Sequence, residues 1–376
     1  MNARLSGTLG RLLATFFGVV TLVTIAFACA WDNDTLESES QKFPEVLDAL
    51  VGRIRVLPKS YYEYRIKLIQ TKNANRSPED YDNLTVAYDK LGDFKSALWN
   101  SDLKKKLLDS ISARNEYWID QEYRYWANRG TIKAHQTLRQ SVASRKGLDK
   151  ELLSQAIDDL ENAVAINPNA HFGRESVQIE ILKMMLNHDS DTPAVKYEER
   201  QVWNRFVETM GREKVVKGII GMMTFGGGPD SFELVQFLQS ALPLHDAYMQ
   251  TIAELRLKDL IGARKPFLDL EVGVHGTLTN GDDVLTQYAL LRKNAIEYRE
   301  LIDAYVETKL NQGKHPDNDP KFWAEWKEPA RIKLVSSKQT ETVGIRGFQI
   351  GIAFVVLMVV APWVVMFLIH RKQKAS

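Results

Sequence analysis

Cysteine is nearly absent from this chain of 376 residues, in which Cys29 is the only one. A single cysteine forms no internal disulfide, and the length alone excludes a small stapled scaffold. Glycine and proline are also scarce, at 22 and 12 residues, below their usual shares of about 7% and 5%. Because turn-rich β architectures use many of both, their scarcity predicts an all-α fold.

An excess of either charge is absent too. Lysine and arginine total 49 against 48 aspartates and glutamates, a formal net charge of +1. This balance gives no broad positive field to hold a nucleic-acid backbone, so we expect no nucleic-acid partner. None of the seven histidines has another at the spacing of a helical zinc pair, and no Gly-x-Ser-x-Gly elbow occurs. We therefore expect no catalytic residue, no metal and no cofactor.

Long uncharged runs lie near both ends of the chain. Residues 12–30 follow two arginines, and residues 350–369 precede a basic tail. About 20 apolar residues span the roughly 30 Å of a bilayer core. The positive-inside rule then places both termini in the cytoplasm and the middle of the chain outside it. The sequence thus predicts a signal peptide or signal anchor over 1–30, a transmembrane helix over 345–370 and a cytoplasmic tail over 371–376.

Cys29 lies at the outer edge of the first apolar run. Its position resembles that of the acylated cysteine in a bacterial lipoprotein signal, although Ala26 and Phe27 depart from the usual residues. Three alternatives stay open: lipidation of Cys29, cleavage without a lipid, and retention of the whole segment.

The centre of the chain has helical periodicity, with one well-marked helix start at Ser77-Pro78-Glu79-Asp80. The residues that follow resemble a tetratricopeptide repeat, in which small side chains allow two antiparallel helices to pack closely and a glycine forms the turn. The first copy matches at Tyr81, Leu84, Tyr88, Gly92, Phe94 and Ala97, and a divergent second copy at Gly130, Ala156, Ala163 and Pro168. Lys104 replaces a small residue, so the helices are expected to separate there, and Lys104–Lys106 are expected to be solvated.

These patterns divide the body into three predicted sections. Residues 31–191 form a helical-hairpin solenoid like that of tetratricopeptide proteins, 192–312 form a second helical section, and 313–344 form an irregular juxtamembrane connector. In the connector, Trp323 and Trp326 either rest at the lipid interface or pack against the helical body.

A wider resemblance covers three short blocks. Residues 29–36 (CAWDNDTL), 171–175 (HFGRE) and 215–226 (VVKGIIGMMTFG) are similar to blocks in uncharacterised bacterial envelope proteins with tetratricopeptide repeats. The resemblance implies an exported repeat protein at the cytoplasmic (inner) membrane of a bacterium, and it implies no activity. The Asp32–Thr35 part of the first block is expected to be a solvated stretch.

The repeat region predicts a scaffold that binds a protein or peptide partner in a concave groove. From repeat position, Asn83, Tyr88, Asn128 and Arg129 are expected to line that groove. Self-association is equally compatible with this prediction. The alternative is a small-ligand-binding protein or an enzyme with its site near the Gly226–Asp230 loop. A pocket with convergent polar groups at that loop would favour the alternative.

Overall fold

The computed structural model describes residues 31–35, 44–72, 76–112, 115–144, 147–168, 170–188, 194–261, 267–270 and 281–332. Across these ranges the chain is helical and forms no strand; the one extended pairing is an isolated bridge between Ala194 and Asp269. The predicted all-α class is confirmed.

Besides a helical turn at residues 33–35, the described ranges contain twelve α-helices. They are α1 (Val46–Val51), α2 (Lys59–Gln70), α3 (Pro78–Leu91), α4 (Phe94–Asp109), α5 (Glu116–Ser144), α6 (Lys150–Ile166), α7 (Arg174–Asn187), α8 (Tyr197–Met210), α9 (Arg212–Gly221), α10 (Phe232–Ala241), α11 (Ala247–Ile261) and α12 (Gly281–Asn311). A 3-10 turn, Ala170–Gly173, precedes α7, and a π-helical turn, Met222–Gly227, continues α9.

Helices α3 and α4 form a hairpin whose ends follow from local chemistry. The Ser77 hydroxyl accepts a hydrogen bond from Asp80 N at 3.2 Å, and the Asp80 carboxylate accepts one from Ser77 N at 3.0 Å. This reciprocal capping satisfies two of the free N–H groups at the helix start. Gly92 then ends α3 with φ at 83°, a left-handed conformation that glycine adopts without strain. The predicted helix start and turn are thus present.

Helices α5 and α6 form a second hairpin, with a close backbone contact at Gly130. A Cβ atom on Gly130 would lie 2.7 Å from the Ala156 carbonyl oxygen and 2.7 Å from Leu160 Cγ. Ala156 and Ala163 are both fully buried. The small residues that the sequence singles out here therefore allow the two helix backbones to approach each other.

The prediction that Lys104 is solvated is wrong. It is 1% exposed rather than solvated, and its ammonium group lies 2.6 Å from the Asp82 carboxylate of α3. The side chain fills the space between α3 and α4 that a small residue would leave, because a buried carboxylate lies there. Lys105 and Lys106 do reach solvent in part.

Residues 313–331 fold back onto the helical body. Phe322 is buried with Tyr61 of α2 and with Tyr298 and Ile302 of α12. The Trp323 ring stacks on the Tyr305 ring with centroids 5.5 Å apart. Of the two alternatives for the aromatic residues of the connector, packing against the helices is the one formed.

The described residues up to Arg331 belong to one compact unit. The sections 31–191, 192–312 and 313–344 remain sequence predictions, and residues 333–344 lie outside the described part of the chain. Helix α9 packs against α7, and α12 packs against α1 and α2. Residues from both predicted helical sections therefore share contacts.

The predicted membrane location needs correction. No helix in the described part of the chain is long and apolar enough to cross a bilayer. The two longest, α5 and α12, have 29 and 31 residues, but charged side chains recur along both. The runs 12–30 and 350–369, Cys29 and the predicted tail 371–376 lie outside the described residues.

Candidate functional site

Residues 31–35 contact both hairpins and contribute the first residues of the site. The Asn128 side chain on α5 accepts a hydrogen bond from Trp31 N and donates one to Trp31 O at 3.0 Å. The Asn83 amide oxygen on α3 accepts from Asn33 N at 3.0 Å. Trp31 is 1% exposed and packs against Tyr123. The segment expected to be solvated is therefore bound through its own backbone.

Arg65 of α2 forms the charged floor of the site, and its side chain is fully buried. Its Nη1 atom lies 2.9 Å from both Asp32 and Asp34, and its Nε atom lies 2.9 Å from Asp317. Nη2 donates to Asp34, Asp317 and the Tyr61 hydroxyl. One guanidinium group thus faces three carboxyl groups from distant parts of the chain.

The two aspartates of segment 31–35 differ in acidity. Burial and the nearby charge of Asp34 raise the pKa of Asp32 to about 6. Burial would also raise the pKa of Asp34, but Arg65 and the Tyr61 hydroxyl outweigh it and hold that pKa below its ordinary value. At neutral pH the cluster therefore carries more negative than positive charge.

His315 lies beside this cluster and is fully buried. Its ring is 4.2 Å from the Tyr61 ring and stacks on Tyr64 at 5.7 Å. Its Nδ1 atom accepts a hydrogen bond from Asp317 N at 3.1 Å. Burial and the charge of Arg65 lower the pKa of His315 from 6.5 to about 4. The imidazole is therefore neutral at pH 7.

This depressed pKa predicts a loss of stability in mild acid. Because the unfolded chain binds the proton at higher pH than the folded one, the His315 contribution is lost as pH falls from 6.5 to about 4. The expected size is about 3 kcal/mol. Protonation of Asp32, whose pKa is raised, instead increases stability as the pH falls over this range. Urea unfolding of the wild type and of His315→Gln at several pH values therefore isolates the contribution of His315.

We expect His315→Gln to have a shallower loss of stability between pH 6.5 and 4 than the wild type. His245→Gln, at an exposed position, is the matched control and should keep the wild-type slope. A His315→Gln slope equal to that of wild type would contradict the assignment.

Beside Asp32 and Asp34 lies a pocket of about 180 Å³. Its walls come from residues 32–35, the start of α2, the faces of α3 and α5, and the turn after α9. The lining residues are Asp32, Asp34, Thr35, Arg55, Val56, Leu57, Lys59, Tyr62, Val86, Lys90, Arg139, Thr224, Phe225, Gly226 and Gly228. The pocket therefore lies at the loop that the sequence alternative named.

Lys90 binds the glycine-rich turn that forms one wall of this pocket. Its ammonium group donates hydrogen bonds to the carbonyl oxygens of Phe225 and Gly226, at the end of the π-helical turn. Such turns are rare and occur often at functional sites. Gly228 follows with φ at 78°, which brings backbone to the pocket surface in a conformation that favours glycine.

A buried Asp–His pair lies on α3 and α5, the helices that also provide the pocket residues Lys90 and Arg139. His135 Nδ1 is 2.7 Å from the Asp89 carboxylate, and both side chains are fully buried. Burial lowers the pKa of His135, so the neutral ring donates its Nδ1 proton to Asp89. Asp89 adjoins Lys90 in sequence, and Arg139 follows His135 by one helical turn.

The structure brings the three sequence blocks of the wider resemblance together. Arg174 of the second block lies over the Trp31 ring of the first, 4.6 Å from its centroid, and 5.3 Å from the Phe225 ring of the third. A Cβ atom on Gly218 would lie 2.9 Å from Val177 of α7. The blocks are therefore one structural feature next to the pocket.

The four residues expected to line a groove lie in different environments. Asn83 and Asn128 are buried beneath residues 31–33, as described above. Tyr88 is half-buried, and its hydroxyl accepts from Gln70 at 3.3 Å. Arg129 pairs with Asp159 at 3.3 Å. The structure thus joins the two amides at one peptide segment and leaves the other two outside that contact.

Arg65, His135 and Arg139 are absent from the sequence-based candidates. Arg65 occurs at the helical spacing of the buried residues Tyr61 and Ile69, and His135 similarly follows the buried Thr131 and precedes Leu138. A charged or polar residue within an apolar stripe is a signal for a buried site. Their partners, however, cannot be identified from that stripe.

Comparison with known proteins adds no relative to these observations. No family model matches the chain, and neither a curated protein nor a solved structure matches it.

Proposed function

We propose that this chain binds a small polar ligand in the pocket between segment 31–35 and the loop around Gly226. One observation carries the proposal: separate stretches of the chain bring six charged side chains to a single cavity. They are Asp32, Asp34, Arg55, Lys59, Lys90 and Arg139. Convergent polar groups in a concave site are typical of ligand recognition.

The pocket supports this proposal over a scaffold whose groove grips a partner. Asn83 and Asn128, the amides expected to hold a partner peptide, already bind the backbone of residues 31 and 33. A partner at these two side chains would have to displace the buried Trp31. Binding of proteins at other surfaces stays a prediction.

We also infer that α3–α6 are two units like tetratricopeptide repeats. The close approach at Gly130, the buried Ala97 and the Gly92 turn support this inference. The end of α6 before Pro168 supports it as well. In this arrangement the inner helices α3 and α5 present one face to segment 31–35 and to the pocket.

A pocket-filling variant tests the ligand proposal. Val56 is half-buried in the pocket wall and lies outside any helix, so Val56→Trp should fill the cavity with little change to the fold. We expect a thermal-shift screen of small metabolites, grouped as anions, cations, zwitterions and neutral compounds, to show stabilised wild-type protein. The same compounds should fail to stabilise Val56→Trp.

Val202→Trp is the matched control, because Val202 is a surface residue of α8 that does not line the pocket. It should keep the wild-type response. If Val56→Trp does not fold, Val56→Phe replaces it. Compounds that stabilise wild type and both tryptophan variants equally would contradict binding in this pocket.

A further inference from the structure

Two acidic residues, Asp32 and Asp34, line the pocket. Behind these two residues, Arg65 is shared with Asp317, so one positive charge faces three carboxyl groups. The cluster is fully or nearly buried apart from Asp34, whose side chain is 21% exposed. An unbalanced negative charge in such a place is costly, because water screens it poorly. A cationic group of a ligand would offset that cost.

Basic side chains line the same pocket. Arg55, Lys59 and Arg139 form no ion pair within hydrogen-bond distance among the described residues, although Arg139 lies near enough to the Asp89 carboxylate to help lower its pKa. Arg55 lies over the Trp323 ring at 4.4 Å, and Arg139 lies over the Phe94 ring at 5.6 Å. Aromatic faces hold these guanidinium groups without neutralising them.

Arg139 also has an unused donor. Its Nη1 atom donates a long hydrogen bond to the Asp89 carbonyl at 3.4 Å. Its Nε atom is buried and has no hydrogen-bond partner within the described residues. A buried donor without a partner loses about 1–3 kcal/mol, so an acceptor on a ligand would be favourable here.

Apolar side chains lie in the pocket wall as well. Val56, Leu57, Val86 and Phe225 contribute to it. The volume of about 180 Å³ is below the roughly 300–1,000 Å³ of pockets for drug-sized ligands. The occupant is therefore small, with a short apolar body.

We propose that the ligand is a small zwitterion, with an ammonium group at Asp32 and Asp34 and a carboxylate group at Lys59 and Arg139. This inference rests on the proposed ligand-binding function. It goes beyond that function because it assigns opposite charges to the two ends of the ligand. A purely anionic ligand would leave Asp32 and Asp34 sharing the single positive charge of Arg65 with Asp317, and a simple amine would leave Lys59 without an ion pair among the described residues.

A series of ω-amino acids, in which the distance between the two charged groups increases, tests the proposal. Glycine, β-alanine, γ-aminobutyrate and 5-aminovalerate carry the same two charges at increasing separation. Butylamine and butyrate each lack one of the charges. Calorimetric titration of the full chain should show that one amino acid binds at least tenfold more tightly than both singly charged compounds.

Two substitutions separate the ends of the site. Lys59→Gln, at an exposed position, should weaken the preferred amino acid about tenfold and leave butylamine unchanged. Asp32→Asn should weaken the amino acid similarly and leave butyrate unchanged. If Asp32→Asn does not fold, Lys59→Gln with the two singly charged probes still decides the question.

The failures are distinguishable. If butyrate or butylamine binds as tightly as every amino acid, or if no amino acid binds, the zwitterion proposal is overturned. The ligand-binding function survives that result when the metabolite screen yields a compound that Val56→Trp excludes. When the screen yields none as well, both proposals fall.

Discussion

Replacement of Arg65 by methionine should lower the free energy of unfolding by about 3–5 kcal/mol. The guanidinium group is fully buried and is the shared partner of Asp32, Asp34 and Asp317. Without it, three carboxyl groups would remain in one buried place without a positive charge, although the Tyr61 hydroxyl would still donate to Asp34 and Thr35 would still donate to Asp32. Urea unfolding at pH 7, followed by circular dichroism, measures the difference.

The pH dependence of this variant identifies the cause. Arg65 holds the pKa of Asp34 below its ordinary value, so its loss should raise that pKa and make protonation favourable in the folded state. The stability difference between variant and wild type should therefore narrow from pH 7 to pH 5. A difference that stays constant over this range would point to lost packing instead.

Arg205→Met is the matched control for this prediction. Arg205 is exposed on α8, and a surface substitution of this kind should change stability by no more than about 0.5 kcal/mol. The stability loss of Arg65→Lys should lie between those of Arg65→Met and Arg205→Met. Lysine keeps the positive charge but lacks the planar guanidinium group that reaches three partners.

Replacement of Lys104 by methionine has the second large expected effect. Lys104 and Asp82 are 1% and 4% exposed and lie 2.6 Å apart. Removal of the ammonium group leaves a buried carboxylate without its counter-charge, at an expected cost of about 3–5 kcal/mol. Chemical denaturation at pH 7 measures it.

The double variant Lys104→Met/Asp82→Asn should recover most of that loss. The asparagine side chain removes the uncompensated charge and can still accept the hydrogen bond that Asn128 donates to Asp82 at 3.0 Å. Replacement of a buried ion pair by hydrophobic residues of similar volume is often neutral or stabilising, and here too no unpaired charge is left behind. A double variant no more stable than Lys104→Met would show that the charge is not the cause.

Lys105→Met serves as the neighbouring control. Lys105 pairs with Asp109 one turn along the surface of α4, and such pairs contribute about 0.2–0.5 kcal/mol. A loss as large as that of Lys104→Met would mean that any methionine in this helix is harmful.

Local signals predicted the helical framework well. The capped start of α3 and the Gly92 turn depend on residues that are neighbours in sequence, and the close contact at Gly130 joins two helices that are consecutive in the chain. Periodicity and turn chemistry report such features directly. For the same reason the all-α class followed from composition and period.

The site could not be predicted in this way. Asp32 and Asp34 are hydrophilic and follow an apolar run, so local hydropathy indicates a solvated stretch. Their burial depends on Arg65 and on Asp317, which lies 252 positions from Arg65. Lys104 gave the same misleading signal, because its partner lies on another helix. Pairings of this kind become visible only in the folded chain.

The position of segment 31–35 has a consequence for folding during synthesis. It leaves the ribosome before nearly all of the side chains that will bind it: Asn83, Asn128 and Arg174 follow, and Asp317 comes last. Chains are made at roughly 5–20 residues per second, so tens of seconds at the slower rate separate Trp31 from Asp317. Contacts between such distant residues form slowly. The hairpins can therefore form early, whereas the charge balance beside the pocket is reached only after Asp317 has been made.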